Sequence, residues 1–212
     1  MVPAMQPQLR FPGRTGTSLV SAVLLVAAVV ALLLAVALPF EQLGESSGSV
    51  PVTLAEPAGS GSPDVAGLPE DVVVADVSNE FRLTALELPA GLRVLTGLPD
   101  VLTLLSVAVG AWLLGRVLSA IHDGRPFDRR NPGRLAGLAA AVLVGGLVVP
   151  VVEAVGTSAV LDHLDLVGPD GPFLAFEATL SFVPVGVALA LVGAAEAFRR
   201  GRALEDELEG TV

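Results

Sequence analysis

The chain has 212 residues, of which 52% are hydrophobic and only 16% charged, and its net charge is −10. Together with a mean hydropathy of +0.72, this balance lies outside the range of ordinary soluble domains and favours a membrane protein. The absence of cysteine excludes disulfides, thiolate metal sites and a cysteine nucleophile, and two histidines are too few for a conventional multi-histidine metal site.

Four long apolar runs predict four membrane-spanning helices, because about 20 helical residues cross the roughly 30 Å hydrocarbon core. We therefore expect an all-α membrane fold: a four-helix bundle with a small extracytoplasmic β-rich insertion between its first two helices. The predicted order is a cytoplasmic tail (1–18), span 1 (19–38), an extracytoplasmic loop (39–97), span 2 (98–121), a cytoplasmic Arg-rich turn (122–134), span 3 (135–152), an acidic outer loop (153–172), span 4 (173–198) and a cytoplasmic tail (199–212).

The first span, Leu19 to Leu38, carries no charge, and Pro39 is expected to end it. Ala35-Val36-Ala37 resembles a signal-peptide cleavage site, so a cleaved signal peptide is the alternative. The apolar run is longer than the 7–15 residues typical of a signal peptide, and further spans follow. This favours a retained first helix.

The loop at 39–97 is acidic and is expected to contain short strands. Residues Val50–Ala55, Val72–Val77 and Phe81–Leu88 show the β-branched content or alternation of strands. A segment of this size buries too little apolar surface to fold alone. We expect it to lean on the membrane helices.

The arginines indicate how the chain is oriented in the membrane. All twelve basic residues are Arg, and with both termini in the cytoplasm ten of them lie on the inner side. The positive-inside rule therefore predicts a multi-pass protein of the cell membrane with both termini cytoplasmic.

Small residues four apart recur in every span, and such stripes allow helices in lipid to approach closely. Homo-oligomer formation remains open. The stripes are Ala27/Ala31/Ala35, Ala111/Gly115/Ser119, Gly137/Ala141/Gly145 and Gly186/Ala190/Ala194.

Three carboxylates are expected near the outer membrane surface: Asp100, Glu153 and Glu177. Because neighbouring spans are antiparallel, these groups can converge at the outer mouth of the helices. One interpretation is a proton- or cation-binding site, since carboxylate oxygens are suitable ligands. The other is that all three lie hydrated among the lipid headgroups. The sequence predicts no cofactor and no bound metal.

The Arg-rich turn is the candidate partner-binding surface. One interpretation is that its arginines only orient the protein, each attracted to anionic lipid by roughly 1 kcal/mol. The other is docking of an acidic partner, either a soluble protein or the chain's own tail with Glu205, Asp206, Glu207 and Glu209. The residues concerned are Arg125, Phe127, Arg129, Arg130 and Arg134.

The sequence lacks nucleotide-binding, metalloprotease and nucleophile-elbow motifs, so no enzyme is predicted. Its basic residues lie beside the membrane without interleaved aromatic residues, which does not support direct nucleic-acid binding.

The run LSAIHDGRPFDRRNPGRL resembles the signature of domain-of-unknown-function family 2975, a bacterial four-helix integral-membrane family. In that family a helix ends in a Gly-x-Pro-Phe turn, followed by Asn and a basic-Leu pair that opens the next span. The resemblance covers about 100 residues and implies four spans, a loop after the first, and, because members are encoded beside small helix-turn-helix regulators, a soluble regulator as partner. This chain departs from the family in its longer, more acidic first loop. The matching residues are Gly124, Pro126, Phe127, Asn131, Arg134 and Leu135.

The shape of the turn has a mechanical basis. Gly124 permits a left-handed helix cap, Pro126 prevents the helix from continuing, and Phe127 can bury at the inner interface. Asn131 before Pro132 is expected to cap the third helix. The leading hypothesis is a non-enzymatic membrane protein that binds a regulator through this turn; the alternative is a small transporter or ion-binding protein that uses the outer carboxylates.

Overall fold

The structure is a computed structural model that describes residues 14–44, 47–53, 72–77, 80–167, 173–174, 176 and 178–209. It is mostly helical, with a small three-stranded sheet between the first two helices, as the sequence predicts. The elements are α1 (Arg14–Gly44), β1 (Gly48–Val52), β2 (Val72–Val77), β3 (Glu80–Ala85), α2 (Ala90–His122), α3 (Asn131–Leu143), a π-helical segment (Val144–Val148), α4 (Val149–His163) and α5 (Val183–Glu209).

Three helices are long and apolar enough to cross a membrane, as the predicted membrane class requires. They are Ser18–Gln42 within α1, the whole of α2, and the continuous helix Asn131–His163 formed by α3, the π-helical segment and α4. The fourth predicted span differs. Helix α5 begins at Val183, ten residues later than expected, and is not among the three.

Other helix ends also differ from the prediction: α2 begins at Ala90 rather than at 98, and α5 continues to Glu209 rather than ending at 198. Pro39 lies inside α1, which continues to Gly44. The reason is tertiary: the side chain of Gln42 lies directly over Gly97 of α2, where any Cβ would overlap it. This contact holds the last turn in place despite the cost of roughly 3 kcal/mol for an internal proline. Helix α4 continues to His163, so the predicted outer loop at 153–172 is helical in its first half.

The three strands form an antiparallel sheet in the order β1-β3-β2. Leu83 of the central strand lies opposite Val50 on one side and Val74 on the other. One sheet face packs on the outer end of α4, so the insertion leans on the membrane helices as expected. The shared core contains Val50, Val52, Val72, Leu83, Ala85, Leu88, Val160, Leu161, Leu166 and Phe173.

The described helices lie side by side in a row. Helix α1 packs along α2, α2 packs against α3 and α4, and α3 packs along α5, whereas the described parts of α1 and α5 make no extensive contact. At the α1–α2 seam the buried Ser21 hydroxyl donates to the Gly115 carbonyl at 3.0 Å and lies 2.7 Å from the hydroxyl of Ser119. The second small-residue stripe is therefore a packing seam.

The other three small-residue stripes differ in whether they pack against a neighbouring helix. Gly137 and Gly145 lie close to Leu113 and Ser106 of α2, so the third stripe is also a seam. On α5, by contrast, a Cβ added at Gly186 would meet no described atom within 4 Å, so the fourth stripe does not pack at this residue. On α1, Ala27 is exposed although Ala31 and Ala35 are buried.

The π-helical segment is the point where α5 joins the row. Pro150 has no N–H to continue the α-helical bonding, and the backbone widens into a π turn just before it. Pro184 of α5 lies directly over Gly146, at a position that any Cβ would occupy. Pro150 and Pro184 therefore both lie close to this one contact between helices.

Helix α4 ends in a left-handed cap without glycine. Asp165 has φ 55°, and the N–H groups of Leu166 and Asp165 donate to the carbonyls of Leu161 and Asp162 at 3.0 and 3.1 Å. Leu166 and Leu161 are both buried in the sheet core, which is the apolar contact that accompanies this cap.

We expect Asp165→Gly to stabilise the protein by about 1 kcal/mol, because glycine adopts positive φ without the steric cost of a Cβ. Asp165→Ala is the matched control, since it removes the carboxylate but keeps the Cβ. Thermal unfolding in detergent should give the order Gly above wild type and Ala no higher than wild type. An Ala variant as stable as the Gly variant would contradict the explanation.

Candidate functional site

The turn between α2 and α3 begins with the glycine cap that the sequence predicts. Gly124 has φ 74°, and its N–H donates to the Ile121 carbonyl at 3.1 Å. The N–H of Arg125 donates to the Ala120 carbonyl at 3.0 Å. These two bonds satisfy the last carbonyls of α2 and turn the chain sharply towards α3.

Asn131 holds the turn from within. Its side chain is fully buried, and Nδ2 donates to the Pro126 carbonyl at 2.8 Å. Its Oδ1 accepts from Arg134 Nη1 at 2.8 Å, and the same Nη1 donates to the carbonyl of Arg116 on α2 at 3.1 Å. The expected cap on α3 is therefore wrong: no side chain caps that helix, because the Asn131 amide already bonds within the turn.

Asp128 makes a further hydrogen bond within the turn. Its Oδ1 accepts from the backbone N–H of Arg130 at 2.8 Å. This bond, with the nearby positive charges of Arg134, Arg130 and Arg125, lowers the pKa of the Asp128 carboxyl below its usual value of 3.8. A lowered pKa means that the ionised carboxylate stabilises the folded turn at neutral pH and that this contribution is lost as the pH falls towards the folded pKa.

Phe127 docks the turn onto the inner part of α5. Its ring lies 5.8 Å from that of Phe198, tilted by 59°, and covers Gly201, where a Cβ would overlap it. Arg202 Nη1 lies 3.5 Å from the Phe127 carbonyl, which accepts from it. Just above, Leu135 packs with Val117 and Ala195. The turn and the inner end of α5 therefore form one packed unit.

The five residues predicted to bind a partner differ in whether they are packed within the protein or exposed. Phe127 and Arg134 are engaged within the protein. Arg125 is exposed and pairs with Asp123 at 3.4 Å, a contact of little energetic weight at the surface. Arg129 and Arg130 are exposed on the outside of the turn. Of the five, Arg125, Arg129 and Arg130 are therefore the ones exposed at the surface of the turn.

The arginines that follow on α5 are compensated by their own helix. Glu196 accepts from Arg199 at 2.8 Å and from Arg200 at 2.7 Å, at helical spacings of three and four. Glu196 therefore offsets part of the positive charge at this end of α5.

Two of the three outer carboxylates come together. Asp100 and Glu153 line a cleft of about 30 Å³ between the sheet and the outer ends of α2 and α4, and Glu177 lies outside the described residues. Arg82 of β3 lines the same cleft. A space of this size holds about one water molecule or ion. No group of three or more metal-ligating side chains converges within the described part of the chain.

The structure adds two residues that the sequence analysis did not single out. Gly201 provides the flat surface for Phe127, and the signal for it was the spacing Phe198-x-x-Gly201, which places both residues on one helix face. Arg82 reaches the outer cleft from a strand in the insertion, and no local pattern in the sequence indicates this.

No family model, curated protein or solved structure matches this chain. The class of the protein therefore rests on its own geometry: at least three helices long and apolar enough to cross a membrane, a lobe built on a small sheet at one end of them, and a basic turn at the other.

We expect Asn131→Ala to destabilise the protein by about 1–3 kcal/mol, because the Pro126 carbonyl and the Arg134 guanidinium each lose a partner. Arg129→Ala, a truncation at an exposed position of the same turn, is the control and should change stability by less than about 0.5 kcal/mol. Thermal unfolding in detergent and the rate of proteolysis within the turn measure both. Equal effects would show that Asn131 does not hold the turn.

Proposed function

We propose that this chain is a multi-pass protein of the cell membrane that catalyses no reaction and binds an acidic soluble regulator through its Arg-rich turn. In this proposal α5 is a fourth, short span, and both termini lie in the cytoplasm. Its starting point is the three helices of sufficient length and apolarity.

The contact between Phe127 and Gly201 supports the fourth span. It brings the inner part of α5 to the level of the turn between α2 and α3, so that the turn and the C-terminal helix lie at the same end of the helical row. The stretch from Val183 to Ala195 carries no charge, and the arginines begin only after it. Positive charge collected at one end of the row favours that end as cytoplasmic.

The observation that carries the proposed binding role is the rigidity of the turn together with the exposure of Arg129 and Arg130. The glycine cap, the buried Asn131 and the docked Phe127 fix the backbone that bears these two arginines. A preordered surface loses little conformational entropy on binding. Guanidinium groups suit carboxylates, to which they donate two parallel hydrogen bonds. An acidic protein surface is the partner that this chemistry favours.

The family resemblance is consistent with this proposal. The residues that carry it include Gly124, Asn131 and Arg134, which hold the turn in shape, whereas the exposed arginines between them are free to define a partner. A regulator as partner, which the resemblance implies, remains part of the proposal.

We expect Arg129→Glu with Arg130→Glu to abolish capture of the partner from native membranes. Capture uses a photo-crosslinking residue at position 133, and the partner is identified by mass spectrometry. Arg129→Lys with Arg130→Lys keeps the charge and should retain capture in part, because lysine lacks the bidentate guanidinium. Binding of the purified partner should weaken as salt is raised, since exposed charge pairs are screened beyond about 10 Å at 0.1 M salt.

A partner captured equally by the wild type and the Glu pair would remove the turn as its binding surface. Because charge reversal in the turn also changes the orientation signal, a cysteine at position 205 reports whether the C-terminal helix is still protected from an impermeant thiol reagent added outside. Loss of protection would indicate inverted insertion, and the binding result would then be measured on purified protein.

The second candidate function is a proton- or cation-binding membrane protein, favoured by the convergence of Asp100 and Glu153 on one cleft. Two carboxylates and the hydroxyls of Thr96 and Thr157 supply oxygen ligands, but Arg82 in the same cleft offsets part of their charge. The proximity of this arginine weakens the candidate relative to the turn.

On this second candidate, we expect millimolar calcium to raise the thermal midpoint of the wild type in detergent, by the linkage between binding and stability. Asp100→Asn with Glu153→Gln should abolish that rise. Glu87→Gln, an exposed acidic position in the outer lobe, is the control and should retain it. A wild type that does not respond to calcium or to pH would leave the cleft as a purely structural contact between lobe and helices.

A further inference from the structure

The level of the membrane can be read from the charged residues that bound the long helices. Arg134 and Glu153 limit the uncharged part of the helix Asn131–His163, and Arg116 and Asp100 limit that of α2. The first pair is separated by about 28 Å of helix at 1.5 Å per residue, which matches the roughly 30 Å hydrocarbon core. The hydrocarbon region therefore lies between these two levels.

Helix α5 begins well inside this region. Its Pro184 lies over Gly146, and Gly146 is about 18 Å along the helix from Arg134 at 1.5 Å per residue. The outer level at Glu153 is about 10 Å further on. On the topology proposed above, α5 covers only the inner two thirds of the membrane, and the chain before it crosses the outer third without helical structure.

The backbone of this outer stretch is unpaired within the described residues. The Phe182 carbonyl accepts from the N–H of Gly186 at 3.2 Å, and Ser181 Oγ accepts from the N–H of Val183 at 3.3 Å, which caps the start of α5. Residues 178–181 make no backbone hydrogen bond to any other described residue. Bare amide and carbonyl groups cannot face lipid tails, where each costs several kcal/mol.

The side chains of the stretch alternate in character. Thr179 and Ser181 are polar, whereas Leu180 and Phe182 are apolar and 50% and 84% exposed. In extended backbone, alternate residues lie on opposite faces. One face therefore suits lipid, and the other face, with the backbone, requires a polar medium.

A groove lies beyond the level of Glu153, beside the connection that leads into this stretch, and residues 178–182 are not among those that line it. The groove, of about 380 Å³, lies between Phe176 and the outer half of α4, and Ser158 and Asp162 give it polar groups. Phe176 belongs to the same connection between the outer lobe and α5. The groove opens on the outer side of the membrane, near the level of Asp162.

We propose that the outer third of the fourth span is unwound and lines a water-filled crevice, open to the outside, that admits small hydrophilic solutes as far as the contact of Pro184 with Gly146. The inference rests on the proposed fourth span. It gives the unpaired backbone a polar partner and leaves the apolar face to the lipid. Discontinuous helices at membrane depth with this form line solute sites in transporters, so the crevice is a candidate solute-binding site distinct from the cleft of Asp100 and Glu153.

The natural chain contains no cysteine, so single cysteines can be labelled without background. Residues 179, 180, 181 and 182 are replaced by cysteine one at a time in the full chain, in intact cells or right-side-out vesicles. A membrane-impermeant maleimide is added outside. We expect positions 179 and 181 to react at least about tenfold faster than 180 and 182, because water reaches only the polar face of the stretch.

Two control positions define the labelling rates expected in water and in lipid. Glu87→Cys lies on the exposed outer lobe and should react quickly, whereas Leu189→Cys, 67% exposed on α5, should be protected by lipid. Uniformly fast reaction at all four test positions would place the stretch in bulk water above the membrane and overturn the crevice. Uniformly slow reaction, with Leu189→Cys protected, would show that protein or lipid covers the stretch and would also overturn it.

Reaction at Leu189→Cys would show instead that α5 does not span the membrane. That result removes the fourth span itself. It is distinguished from failure of the crevice alone, in which Leu189→Cys stays protected and positions 179 and 181 do not react.

Discussion

Lipid tails offer the backbone no hydrogen-bonding partner, so the three long apolar helices of this chain satisfy their own N–H and carbonyl groups. Beyond the two ends of these helices the chain is free to form other structure. The sheet lies at one end, packed on Val160 and Leu161 of α4, and the Arg-rich turn lies at the other.

At this second end, a short turn is made rigid by few residues. Asn131 is buried and bonded on both sides of its amide, and Arg134 joins it to the end of α2. Phe127 then joins the turn to α5 through Phe198 and Gly201. Two arginines of the motif, Arg129 and Arg130, take no part in this packing. A basic segment that looks uniform in the sequence is therefore divided into a part that packs within the protein and a part that stays exposed.

The described helices pack side by side in a row with α1 and α5 at its edges. Helix α5 begins beside the contact between Pro184 and Gly146. The π-helical segment allows that contact, since it widens the helix next to Pro150 and brings Gly145 towards α2 and Gly146 towards α5.

Three long apolar helices, the insertion with its strands and the glycine cap at Gly124 could be predicted from the sequence. These follow from local physics: runs of apolar residues, alternation over a few positions, and spacings of three or four within a helix. Predictions from these local patterns were wrong where a contact with a residue outside the pattern determined the local structure. Pro39 does not end α1 because Gln42 lies on Gly97, and Asn131 does not cap α3 because its amide bonds to Pro126. The predicted start of α5 was wrong because an apolar run is compatible with a helix and with extended chain. The alternation of Leu180, Ser181 and Phe182 was visible, but only the contact of Pro184 with Gly146 fixes where the helix begins. Tertiary structure alone could decide these points, since each depends on a contact between separate elements or on the choice between two local structures of similar energy.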